Sequence, residues 1–336
     1  MRFAHWRMAL GSGLLAALLV VPGWGSEADT SHTATPGTLN YVEGQASIGD
    51  QKLDSHAVGN ADLQNGQVLQ TGNGKAEILL TPGVYLRVGN NSSVKMISNS
   101  LTNTEVTVSQ GEAMVEVDEL YHENNLRVSQ PGADTKVVKN GLYDFDATNG
   151  DVRVFDGKAV VTADDHNITV KKNHELTFNN PKLKAQGFDK DQVTKNDDLY
   201  RWSSLRSEYL SEANTHAAER YYANGWYGPG WWGPGWYWDP WFDGYTFVPG
   251  SGFFYSPFGW GFYSPLMVWR APVVIGRGFR HFDGSRPVAI GHGFHGNAVR
   301  SFPGGYGGRF HGGYGGGFHG GGMHAGGGFH GGGVHR

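Results

Sequence analysis

Between Leu39 and Phe178 apolar and polar positions alternate in short runs, among them Ala76-Glu-Ile-Leu-Leu, Val84-Tyr-Leu-Arg-Val, Ala113-Met-Val-Glu-Val, Leu142-Tyr-Asp-Phe-Asp-Ala and Lys158-Ala-Val-Val-Thr. Gly, Asn and Asp separate the runs at intervals of about 8 to 12 residues. Successive side chains of a strand point to opposite faces, so this period of two predicts an all-β domain over residues 39–178, a sandwich or a solenoid-like β domain. Val84, Leu86 and Val88 should face inward, and Tyr85 and Arg87 outward. Asn149-Gly150 tolerates positive φ and predicts a type I′ hairpin between Leu142–Thr148 and Asp151–Phe155. The period then changes. Behind the capping residues Asp197 and Asp198, apolar positions recur at steps of three and four at Trp202, Leu205, Tyr209, Ala213 and Ala217. This predicts an amphipathic helix over 197–222, either docked on the β domain or serving as a free linker.

The two ends of the chain follow neither pattern. Arg2, His5 and Arg7 lead into an apolar run, Met8 to Val21, that Pro22 stops. The run falls short of the roughly 20 residues that a membrane-spanning helix needs, and small residues follow it. It predicts a secretory signal peptide, 1–25 if cleaved after Gly25 or 1–28 if cleaved after Ala28, and a mature chain without a transmembrane helix. The expected location is the periplasm or the cell envelope.

Residues 223–270 are rich in Trp, Tyr, Gly and Pro, with the near-repeat Gly225-Trp-Tyr-Gly-Pro, Gly230-Trp-Trp-Gly-Pro, Gly235-Trp-Tyr-Trp-Asp-Pro. Gly and Pro in every copy oppose a long helix or a central strand. Trp226, Trp231, Trp232, Trp236, Trp238 and Trp241 are therefore candidate binding residues, since indole faces stack on sugar rings or on Arg. The rival expectation is that these rings pack on the β domain or on one another. Residues 271–336 form a Gly/His-rich tail that buries too little surface to offset its chain entropy. Together these segments predict a disordered aromatic and Gly-rich C-terminal region.

Composition narrows the chemistry. The chain has no Cys, which excludes disulfides, thiolate metal sites and a cysteine nucleophile. Every Lys lies at or before Lys195, so the β region is acidic and the downstream positive charge is all Arg. An acidic, exported β domain argues against nucleic acid as a partner. His311, His319, His324, His330 and His335 sit in apolar-His doublets of the tail and could give weak Zn²⁺, Cu²⁺ or Ni²⁺ binding, though no spacing marks a preformed site. No cofactor is otherwise expected. Phosphate-loop, zinc-protease, nucleophile-elbow and dinucleotide motifs are missing, so an enzyme is not expected. Asp144-x-Asp146 with Gly150 has its Gly one position late for a calcium loop, and a hairpin explains it better.

One ordered series goes further. Gly59, Leu63, Gly66, Leu69, Thr71-Gly72, Gly74, Ala76, Ile78, Leu80, Gly83, Leu86 and Ser93-Val94 are followed by Val108-x-x-Gly111, Met114-x-Glu116-Val117, Leu126-x-Val128-x-x-Pro131, Gly141-x-x-x-Phe145 and Val152-x-Val154-x-x-Gly157. This resembles the FecR domain family. The resemblance implies a sensor or interaction domain outside the cytoplasmic membrane, in the archetype relaying a signal from an outer-membrane transporter to a sigma factor. Only about seven residues precede the apolar run here, so the archetype's cytoplasmic anti-sigma segment is not expected. The expected function is a non-catalytic envelope protein whose β domain binds an envelope protein or polysaccharide, with the aromatic segment giving attachment. The alternative is a signalling module of FecR type that acts through a separate membrane partner.

Overall fold

Residues 34–178, 182–223 and 232–272 are described by a computed structural model. The alternating runs become strands: β1 (Leu39–Ile48), β2 (Gln51–Lys52), β3 (Val68–Thr81), β4 (Val84–Val88), β5 (Ser93–Ser100), β6 (Asn103–Gln110), β7 (Glu112–Val117), β8 (Asn125–Gln130), β9 (Ala133–Val137), β10 (Gly141–Asp146), β11 (Asp151–Asp156), β12 (Lys158–Ala163), β13 (His166–Lys171), β14 (His174–Thr177) and β15 (Gln186–Gly187). They form one sheet in the order β13-β12-β9-β8-β6-β5-β3-β4-β7-β10-β11-β14-β15, with β1 paired to β3 and β2. All pairs are antiparallel except β6 with β8. The long β3 joins the two halves: its first residues pair with β5 and its last with β4. The sheet thereby folds back in the manner of a sandwich, and alternate residues of both halves share one core, including Ile78, Leu86, Val115, Val128, Phe145, Val154 and Val161.

Val84, Leu86 and Val88 face that core as the alternation predicts. Tyr85 and Arg87 point the other way but do not reach solvent: both are fully buried. A second layer covers the far face of β3, β4, β7 and β10. It begins with α1 (Lys190–Asn196) and α2 (Asp198–Ala223) and continues into two hairpins, β16 (Gly235–Asp239) with β17 (Gly244–Val248), and β18 (Phe253–Tyr255) with β19 (Gly261–Tyr263), followed by a 3-10 turn at Pro265–Arg270. Among the described residues no helix is long and apolar enough to cross a membrane.

Three local expectations change. The β10–β11 hairpin exists, but Asp146 pairs with Asp151, which leaves a four-residue loop rather than a two-residue type I′ turn. The Asp146 side chain organises it by accepting from the backbone N–H groups of Thr148 and Asn149, and Gly150 alone of the pair takes positive φ. Helix α2 docks, and Ala213 and Ala217 of the expected stripe are buried, but Trp202, Leu205 and Tyr209 are only half-buried and the rest of the buried face is Leu199, Ser203, Arg206, Ser207, Leu210, Asn214 and Ala218. The surface beneath it is partly charged, so polar side chains are buried where apolar periodicity looks for Leu. Finally, the disorder expected of the aromatic region does not extend to residues 232–272, where rings pack on the sheet and on α2.

Candidate functional site

The second face of the sheet carries the charges. Strand register lines up Glu175, Arg153, Asp144, Met114, Arg87 and Glu77 as direct cross-strand neighbours on β14, β11, β10, β7, β4 and β3. Glu116 lies two residues along β7 on the same face. Arg87 Nε donates to Glu77 Oε2 at 2.8 Å, and its Nη1 donates to Glu116 Oε2. From α2, Arg206 Nη2 donates to Glu77 Oε1 at 2.9 Å and Ser207 Oγ to Glu116 Oε1 at 2.7 Å. Asn40 of β1 donates to the same Glu77 oxygen at 2.8 Å, and the Arg206 guanidinium stacks 4.0 Å from the Tyr41 ring centre. Two buried cations thus face two buried carboxylates whose four oxygens all accept hydrogen bonds, while Arg87 Nη2 and Arg206 Nε are left without a partner among the described residues. Burial pushes Glu77 upward, yet Arg206 and Arg87 outweigh it and hold its carboxyl below the usual range. Asp118, just past the end of β7, is pushed well above the usual range by burial and then by the Glu116 charge.

At the other end of the row lies an acidic pocket of about 440 Å³, lined by Glu112, Arg153, Asp197 and Asp198 with Gln192 and Asn196 of α1. Arg153 is shared three ways, with Asp144, Asp151 and Glu175, each at 3.0 Å. One oxygen each of Glu112, Asp144 and Asp197 lie within 4.8 Å of one another. Asp197 is the N-cap of α2, its Oδ1 accepting from Tyr200 N at 2.8 Å. Burial, then the charges of Asp197 and Asp146, push Glu112 up to about 7. Burial and then Glu112 raise Asp144 well above its usual value, while Arg153 pulls it down.

The aromatic candidates divide. Trp236 packs edge-on against Tyr85 at 4.9 Å, and Trp238, edge-on to Tyr245 of its own hairpin at 5.0 Å, packs against the sheet core, so both belong to the contact between layers. Trp232 and Trp241 are 90% and 75% exposed, at opposite ends of the β16–β17 hairpin. Trp226 and Trp231 lie outside the described residues, as do residues 1–33, where a signal peptide is expected, and His311, His319, His324, His330 and His335. The structure adds a group that the near-repeat did not mark: Phe253, Tyr255 and Trp269 are exposed, with the Arg270 guanidinium 5.0 Å from Trp269 and 5.5 Å from Phe253. The Tyr255-Ser-Pro and Tyr263-Ser-Pro repeat was the available signal for this hairpin, but it does not tell Tyr255, exposed, from Tyr263, buried. The charged row was legible only as single polar residues inside strands.

Residues 67–161 match the model of a family described as FecR protein, a stretch from β3 into β12, and the β domain is FecR-like there. Helix α2 and the aromatic hairpins fall outside that match. No curated protein matches the chain. Two crystal structures of a protein from Parabacteroides distasonis, provisionally described as an anti-sigma factor, are similar to it at 18% identity and a TM-score of 0.33. The matches cover 38% and 37% of this chain and 62% and 61% of those chains, so this chain spans about six-tenths of their length.

Proposed function

We propose that the protein is a non-catalytic, exported FecR-type module that binds an envelope partner, a protein or a polysaccharide, through the exposed rings of its C-terminal layer. The observation that carries this reading is the division among the aromatic side chains. Trp236, Trp238, Tyr245 and Phe247 are taken up by packing, whereas Trp232, Trp241, Tyr255 and Trp269 stay exposed on the hairpins, their flanks and the 3-10 turn, all anchored to a folded core. Rings held in fixed positions lose little entropy on binding, and an aromatic surface beside Arg270 suits sugar faces or the aromatic and Arg anchors of a protein interface. The FecR match favours a second reading, a regulatory module that transmits through a separate membrane partner.

The test is retention on isolated cell envelopes. Changing Trp232, Trp241, Tyr255 and Trp269 together to Ala should weaken retention by about tenfold or more, roughly 1.4 kcal/mol, with the melting temperature unchanged. Trp236→Ala, by contrast, should lower the melting temperature. Undiminished retention of the quadruple variant removes the attachment role. Recovery of a membrane protein rather than glycan from the bound fraction selects the regulatory reading.

A further inference from the structure

We propose that Glu112 of β7, Asp144 of β10 and Asp197 at the head of α2 form a binding site for a hard divalent cation of the calcium type. Four observations lead there, none of which depends on the aromatic surface or on the attachment reading. First, the three carboxylates come from separate elements yet bring one oxygen each within 4.8 Å of one another. Oxygens bound to one Ca²⁺ at 2.3–2.6 Å stand no more than about 4.6–5.2 Å apart, so three oxygens within 4.8 Å of one another are close enough to share one such ion. Second, Asp144 is wholly buried: its Oδ2 accepts from Arg153, its Oδ1 has no donor from the rest of the described residues, and its carboxyl meets that of Glu112 within hydrogen-bonding reach, so the two must share a proton or a cation. An anionic oxygen buried in that way is costly unless a cation or a proton meets it.

Third, the local charge does not balance within the row. Arg153 is already divided among Asp144, Asp151 and Glu175, and Lys75 pairs with Asp198 at 2.8 Å. Glu112 and Asp197 therefore add negative charge around a guanidinium that is already shared. Fourth, the donor set is all oxygen, with no His or Cys, which selects calcium-like ions over zinc or copper. The adjoining pocket of about 440 Å³ leaves room for the water ligands that complete a shell of six to eight. A cation here would tie the head of α2 to the sheet, so binding should also stabilise the docked layer.

Calorimetric titration of the full mature chain with Ca²⁺ at pH 7.5 tests the site. One equivalent should bind with a dissociation constant between about 10 μM and 1 mM, the range of moderate sensor and extracellular sites, and the melting temperature should rise as the site fills. Calcium's preference for oxygen keeps the His-rich tail out of the measurement. Asp144→Asn and Asp197→Asn should each weaken binding by about tenfold or more. The second substitution keeps a side-chain oxygen able to accept from Tyr200 N, so the helix cap survives and the variant folds even if Asp144→Asn does not. Asp165→Asn, in an exposed turn, should bind as the parent does. Absence of saturable binding up to 10 mM Ca²⁺ (about 2.7 kcal/mol weaker than 100 μM) would overturn the proposal and leave a proton shared between Glu112 and Asp144. So would calcium affinity unchanged by both substitutions in the triad.

Discussion

Arg87 is a residue whose position in a strand would pass for solvent-facing, yet it is fully buried between Glu77 and Glu116. A buried pair contributes little net stability, but removal of one partner leaves an uncompensated charge. Arg87→Met should therefore cost about 3–5 kcal/mol in urea denaturation. A loss below about 1 kcal/mol would show that Glu116 can do without the guanidinium. Glu212 on α2 illustrates the same physics without a partner cation. Burial, then the neighbouring Glu208, push its carboxyl up to about 7, and its Oε2 has no hydrogen-bond partner. The folded state thus holds a proton that the unfolded chain releases at lower pH. This contribution to stability is complete below the unfolded value near 4.5 and is lost as pH rises through about 7. Glu212→Gln mimics the protonated acid, so parent and variant should melt alike at pH 5 and the variant should melt higher at pH 8. Equal melting temperatures at both pH values would place Glu212 in solvent.

At the scale of elements, α2 acts as the connection between sheet and hairpins, and its polar buried face explains how. Asn214 Nδ2 donates to the carbonyls of Phe247 and Tyr263 at 2.9 and 3.1 Å, and its Oδ1 accepts from Tyr263 N at 2.7 Å. One side chain thereby satisfies backbone groups of both β17 and β19. Thr246 Oγ1 on the Leu210 carbonyl and Ser211 Oγ on the Gly261 carbonyl, both at 2.6 Å, repeat the arrangement. Asn214→Ala would leave buried backbone groups without partners, at about 1–3 kcal/mol each. Hydrogen exchange should then accelerate in β17 and β19 while β4 and β7 keep their protection. Uniform acceleration across the chain would mean that the two layers open as a single unit. The hairpins themselves are short, and a two-stranded ribbon is marginal alone. Their order comes from rings seated on the sheet, Trp236 against Tyr85 and Trp238 against the core, with Phe247 N donating to Tyr85 Oη at 3.1 Å.

For the whole molecule, the alternation of apolar residues determined the β class, the FecR-like order of turns and strands, and the inward set Val84, Leu86 and Val88. Each of these follows from the two-residue period and from glycines at turns, both local properties of a chain. The long helix was legible too, because Asp197 caps it and its periodicity runs for several turns. The face by which it docks was not legible. Arg206, Ser207 and Asn214 become interior only because Glu77, Glu116 and the hairpin backbones lie opposite them, and apolar periodicity says nothing about polar complementarity. For the same reason the aromatic segment could be read as a series of rings but not sorted into packed Trp236 and Trp238 against exposed Trp232 and Trp241. That sorting depends on Trp236 and Trp238 lying within β16, where their shared side meets Tyr85 and the sheet, whereas Trp232 precedes the strand and Trp241 lies in the turn after it. The acidic triad is the clearest case. Glu112, Asp144 and Asp197 are 32 and 53 positions apart in succession, without motif spacing. Only sheet register, which sets β7 beside β10, and the docking of α2, which brings its cap above them, place three carboxylates around one point.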